Sequence, residues 1–155
     1  MADLEELYRE IILDHYRSPR NRGELTSPPA TRAEGFNPLC GDEIVITLEV
    51  EDGILKDLKI AGSGCSISQS SASLMSAAVK GKSIVQVREL ISTFKSMMSV
   101  PATGADGAPL EAQEINLKAI GELAALQNVV KFPVRIKCAT LAWNTLTQGL
   151  EEAGA

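Results

Sequence analysis

Residues 43–61 set the strongest constraint on the fold. Two β-rich runs, EIVITLEV (43–50) and ILKDLKIA (54–61), flank the pair Asp52-Gly53. Asp-Gly between alternating apolar runs is a tight-turn signal, because both turn residues take positive φ and few other residue pairs tolerate that. The spacing predicts an antiparallel hairpin with one buried face. Ile44, Ile46, Leu48 and Val50 fall on one face, and Ile54, Leu58 and Ile60 share a parity of their own. Val45, Leu55 and the charged Glu49, Asp57 and Lys59 take the opposite face.

Helical patterns surround this hairpin. In residues 3–17, Leu4, Leu7, Tyr8, Ile11, Ile12 and Tyr16 recur at steps of three and four, with Asp3 and Glu6 placed as a capping pair. Ser18-Pro19 ends that helix, since the residue before proline avoids the α region. A polar, proline-rich connection follows to residue 31, and 31–36 predicts a weak strand. After Gly62 and Gly64, Ile67, Leu74, Ala78 and Val79 follow at helical spacing, and Gly81 closes that helix. Its small residues, Ser66, Ser68, Ser70, Ser71, Ala72 and Ser73, suit close packing on a sheet. Ser83 and Gln86 form a capping box for a helix striped by Ile84, Val87, Ile91, Phe94 and Met98. Residues 99–113 read as a long loop, and such loops are uncommon unless functional or mobile. Ile115, Ala119, Ile120, Leu123 and Leu126 suggest a short helix. Pro133 is placed to open a last helix with Val134, Cys138, Leu141, Ala142, Thr145 and Leu146 on one side. The pattern is α+β.

With 155 residues and no repeat or composition break, one domain over 1–155 is expected. The net charge of −5 does not suit a nucleic-acid binder. No apolar run approaches the ~20 residues that span a bilayer. The acidic start MADLEELYRE is unlike a signal peptide, so a cytoplasmic location is expected, with no membrane partner.

Chemistry concentrates at three cysteines, Cys40, Cys65 and Cys138, each at an element boundary. An odd count in a reducing compartment argues against a disulfide framework. Two readings remain: three unrelated buried thiols, or three thiolates completed by one more ligand in a tetrahedral zinc site. In Cys40-Gly41-Asp42, alternate side chains of an extended chain share a side, so Asp42 could be that ligand. Cys65 precedes a helix, whose N-terminus favours a thiolate. Arg135 and Lys137 flank Cys138; they are either solvated or cations favouring an anionic partner. The lone His15 reads as a polar contact at a helix end. The arginines at 9, 17, 20 and 22 read as a solvated face more readily than as a basic patch. Neither a Ser/His/Asp triad nor a phosphate loop is present.

The segments HYRSPRNRG (15–23), NPLCGD (37–42), GSGCSISQSSASLM (62–75) and FPVRIKCATLAW (132–143) resemble the U-type proteins of iron–sulfur cluster assembly, in order and over nearly the whole chain. The 99–113 region fits an insertion of the SufU type. Lys137 stands where the IscU-type scaffolds of the family carry a histidine. The resemblance implies a three-stranded antiparallel sheet packed with helices, an IscU-like fold. It implies zinc on Cys40, Asp42, Cys65 and Cys138, with iron or an iron–sulfur cluster carried at most transiently. It implies that Cys40 accepts persulfide sulfur from a SufS-like cysteine desulfurase, one of whose side chains displaces Cys40 from zinc. Arg135 and, by position, Lys137 would help hold that partner, and a SufBCD-like scaffold would act downstream. The expected activity is that of a sulfurtransferase; the alternatives are a scaffold on which a cluster is assembled and transferred, and a structural zinc domain that only docks.

Overall fold

A computed structural model of the chain describes residues 4–26, 30–38, 41–98, 123, 125–126, 129 and 132–154. Asp3, Cys40, the 99–113 region and the first part of the expected 115–126 helix lie outside the described residues. The elements run α1 (Leu4–Arg17), β1 (Thr31–Asn37), β2 (Asp42–Glu51), β3 (Ile54–Ser63), α2 (Ser66–Val79), α3 (Ile84–Met98) and α4 (Pro133–Glu152). The architecture is α+β, a three-stranded antiparallel sheet in the order β1-β2-β3 with helices packed on it.

The hairpin forms where the sequence places it. Asp52 and Gly53 take φ of 53° and 74°, the paired positive values that a two-residue hairpin loop demands. Ile46 pairs with Ile60 and Leu48 with Leu58, and all four are buried. One part of the face assignment is corrected. A register shift at Glu49/Val50 pairs Val50 with Leu55, so Leu55 is fully buried and Ile54 is 43% exposed. Such a bulge exchanges the two faces beyond it, and strict alternation along 54–60 does not reveal it. The exposed end of β3 is then capped from outside. Leu55 donates to Lys82 O, and Gly81 donates to Leu55 O, at 2.9 and 2.8 Å.

Helices α4, α2 and α3 close the buried face. α4 crosses β1 and β2, and a Cβ on Gly149 would lie 2.8 Å from Leu48 Cδ2, so a larger residue there would force Leu48 to shift. Trp143 of α4 stacks on Phe94 of α3 with centroids 4.3 Å apart. Pro133 is the first residue of α4, as expected. Val134, however, is 62% exposed, because the first turn of α4 projects beyond its neighbours. The Ser83/Gln86 capping box is reciprocal, with both backbone N–H groups bonded at 3.2 Å. Leu123 and Leu126 of the expected short helix are buried.

The serines of α2 depart from the expected role. They serve chiefly α1, its following loop and α4 through hydrogen bonds. His15 Nδ1 lies 2.7 Å from Ser73 Oγ, which also accepts from Arg20 N–H at 2.8 Å. Ser76 Oγ donates to the main chain, at 2.7 Å from Ser73 O and 3.2 Å from Arg20 O, and accepts from Asn21 Nδ2. Ser71 Oγ donates to Ala139 O and accepts from Trp143 Nε1. The loop this fixes also runs beside β3: Ile60 N–H donates to Asn21 O and Gly23 N–H to Ile60 O, both at 2.9 Å. Two arginines of the N-terminal region help hold the loop after α1. Arg20 binds Asp14, and Arg22 reaches Gly62 O and Gln69.

Candidate metal centre

The starts of three elements meet at one end of the sheet. Asp42 opens β2, Cys65 precedes α2, and Cys138 lies in the second turn of α4. One ligand atom from each of Asp42, Cys65 and Cys138 lies within 4.8 Å of the other two. Asp42 and Cys138 are fully buried, and Cys65 is half-buried. His15 is also buried, but it lies with Ser73 and outside this cluster. Cys40 precedes Asp42 by two residues and lies outside the described residues. Backbone on either side of it is joined: Gly41 N–H donates to Asn37 O at 2.9 Å, and Gly41 takes φ of 70°.

Local structure explains why the three groups converge. Cys65 caps α2 with its own sulfur, which accepts from Ser68 N–H at 3.5 Å. The same residue's N–H donates to Asp42 Oδ1 at 2.9 Å, tying the start of β2 to the start of α2. Gly64 makes that approach possible. A Cβ there would stand 2.5 Å from both Asp42 Oδ1 and Ser68 Oγ. Asn37, at the end of β1 and opposite Asp42 in register, places Nδ2 3.4 Å from Asp42 Oδ2 and 3.6 Å from Cys138 Sγ. Asn37 and Ser68 join the site beyond the expected ligands; their signal in the sequence is a polar residue ending a strand three positions before a cysteine, and a serine three positions after one.

The electrostatics favour an ionised carboxylate. Burial pushes the Asp42 carboxyl up. Donation from the Cys65 backbone, then from the Cys138 thiol, the Ser68 hydroxyl and the Cys65 thiol, outweighs it, and the pKa falls below the usual carboxylate range. A buried anion beside two thiols suits a dication. Zinc takes Cys sulfur at about 2.3 Å, which at tetrahedral angles separates donors by roughly 3.8 Å. The ligand atoms of the described triad, within 4.8 Å of one another, approach that separation, and the mixture of sulfur and one oxygen is a zinc donor set.

Arg135 and Lys137 are exposed at the start of α4, beside the cluster but not in it. Arg135 and the 61%-exposed Phe132 line a groove of about 740 Å³, shared with Tyr8, Arg9, Ser66 and Ile67. Among the described residues no helix is long and apolar enough to cross a membrane.

Comparison with known proteins identifies the relatives of this arrangement. The NifU-like N terminal domain family matches residues 7–139. The chain belongs to that family. The zinc-dependent sulfurtransferase SufU of Bacillus subtilis is 43% identical over 155 residues, covering 99% of this chain and 97% of that protein. The iron–sulfur cluster assembly scaffold protein IscU of Streptococcus pyogenes is 36% identical, covering 99% and 88%. Among solved structures, a SUF-system scaffold candidate from Fervidobacterium islandicum superposes with a TM-score of 0.77 at 28% identity, covering 96% of this chain and 99% of that one. The NifU-like fold thus agrees with the α+β architecture expected from sequence. The cluster of Asp42, Cys65 and Cys138 lies on three of the segments that carried the sequence resemblance, 37–42, 62–75 and 132–143.

Proposed function

We propose that this NifU-like protein is a zinc-dependent sulfurtransferase of iron–sulfur cluster assembly, accepting sulfur from a cysteine desulfurase. The observation that carries the reading is the buried meeting of Asp42, Cys65 and Cys138, next in sequence to Cys40. Those three residues, with Cys40, would hold zinc. Zinc, when bound, would keep its sulfur ligands deprotonated and shielded from oxidation. The 43% identity with a zinc-dependent sulfurtransferase supports the same reading.

Cys40 is the acceptor in this account. Its thiolate attacks the outer sulfur of a persulfide on the desulfurase. A sulfur–sulfur bond forms on Cys40, the donor's sulfur–sulfur bond breaks, and the donor cysteine leaves as a thiolate. Nothing is oxidised or reduced overall. Cys65 and Cys138 are unsuited to the role, since one caps α2 and the other is fully buried. Asp42 remains anchored by the Cys65 N–H when Cys40 departs. Arg135 and Lys137, exposed and close to Cys138 in sequence, would help hold the partner. The protein would work in the reducing cytoplasm as one domain and pass its sulfur to a SufBCD-like scaffold.

A scaffold reading has its own support in the IscU relatives. Lys137 weighs against it, because a protonated lysine has no lone pair for a metal. Anaerobic incubation of the zinc-loaded protein with iron, cysteine and a cysteine desulfurase separates the two. The sulfurtransferase reading expects faster sulfide release and little stable cluster, with the acceleration lost in Cys40→Ala. A stable cluster near one per chain, zinc still bound and no gain in rate would establish the scaffold instead.

A further inference from the structure

We propose that Asn37 is a positioning residue of the metal centre, holding the Asp42 carboxylate and the Cys138 sulfur as one fixed pair. The inference rests on the reading that Asp42, Cys65 and Cys138 bind metal. Asn37 is the last residue of β1 and only 5% exposed. Its Nδ2 lies 3.4 Å from Asp42 Oδ2 and 3.6 Å from Cys138 Sγ. A metal-bound carboxylate and a metal-bound thiolate are both acceptors. Only the NH2 end of the amide can therefore face them, which fixes its orientation on chemical grounds. That one NH2 group offers two hydrogens to two ligands from two different elements, β2 and α4.

The main chain of Asn37 adds a third tie. Its carbonyl accepts from Gly41 N–H at 2.9 Å, joining the ends of the segment in which Cys40 stands in sequence. Asp42 Oδ1 is held separately by Cys65 N–H. Oδ2 is thus the oxygen oriented by Asn37.

Two measurable properties follow. Donation to a thiolate withdraws electron density from its sulfur, so less is available to the metal. Loss of the donor leaves the sulfur more electron-rich and moves a sulfur-to-metal charge-transfer band to lower energy. Loss of an outer partner that orients a ligand also weakens metal retention, typically ~10–100-fold.

The test compares full-length wild type with Asn37→Leu, which keeps the bulk and removes the donor. Each is loaded with Co(II) for absorption spectra and with zinc for release to a chelator. Melting is followed with and without zinc. The proposal expects a charge-transfer band at longer wavelength, zinc release faster by about 10-fold or more, and a larger melting loss in the zinc-loaded than in the metal-free state. Superimposable cobalt spectra with zinc release within about two-fold, or equal melting losses in both states, would confine Asn37 to folding and overturn it. If Asn37→Leu does not fold, Asn37→Ser is read in the same assays. Its single hydroxyl proton cannot serve both ligands, so wild-type behaviour there would contradict the proposal. A wild type that binds neither cobalt nor zinc overturns the underlying metal reading and is recognised before any variant is compared.

Discussion

Helix α2 carries two buried polar regions that differ in what completes them. Along its length, Ser71, Ser73 and Ser76 meet His15, Arg20, Asn21, Ala139 and Trp143. These groups are polar side chains or main-chain groups, and donors meet acceptors inside the protein. At its N-terminal end, Cys65 meets Asp42 and Cys138, two thiols and a carboxylate that become a cluster of acceptors once the sulfurs lose their hydrogens to bind metal. A buried network closed by its own partners stabilises a fold. A buried cluster of acceptors is costly unless a cation completes it. The same helix therefore separates what holds the chain from what the chain holds.

Substitutions in the two regions should separate these roles. The largest effect is expected from Cys138→Ala, which removes a buried ligand. Zinc content should fall from one per chain to near zero. Loss of a ligand bound about 1,000-fold above its Kd removes ~4 kcal/mol, or ~10 °C of melting temperature for a chain of this size. Metal analysis and thermal melting check this. A zinc-free variant that melts like the zinc-loaded wild type would break the contrast.

Ser73→Ala should come second. It leaves Arg20 N–H and His15 Nδ1 without the hydroxyl they share, at a buried site. A deficit of ~1–3 kcal/mol in urea unfolding is expected, with zinc content unchanged. Loss of zinc from Ser73→Ala would show that the two regions are coupled.

The smallest effect belongs to Asp14→Asn, in the ion pair that backs the first region from outside. The Arg20 hydrogen bond, and then its charge, hold the Asp14 carboxyl below its usual range. A depressed carboxylate pKa contributes stability above the unfolded-state value, and that stability disappears as pH falls through the folded-state value. The pair is exposed and screened by salt, so melting at neutral pH should move by no more than about 1 °C. What Asp14→Asn should alter is the acid side: the wild-type decline as Asp14 is protonated becomes shallower. Identical acid profiles for wild type and variant would remove this pair from the account.

Much of this contrast was legible in the sequence, for reasons that differ by residue. The hairpin could be read because Asp52-Gly53 supplies both the turn and the register. The capping box at Ser83 could be read because both partners are local. Cys65 could be read as a candidate because it lies at an element boundary, and Asp42 because it stands two residues from Cys40. Leu55 was misplaced because a bulge depends on cross-strand packing, which a single strand does not encode. Val134 was misplaced because helical periodicity does not say where a neighbour ends. The serines of α2 were read only as small, since their partners lie 53 to 72 residues away. Asn37 escaped for the same reason, with Cys138 separated from it by 101 positions.

The central claim is that sulfur is carried on Cys40 while Asp42, Cys65 and Cys138 stay bound to metal. Mass spectrometry of the zinc-loaded protein after reaction with a cysteine desulfurase and cysteine tests it most directly. The account predicts one added sulfur on the peptide containing Cys40, none on those containing Cys65 and Cys138, and zinc retained. Added sulfur mainly on Cys65 or Cys138, with Cys40 unmodified, would contradict it.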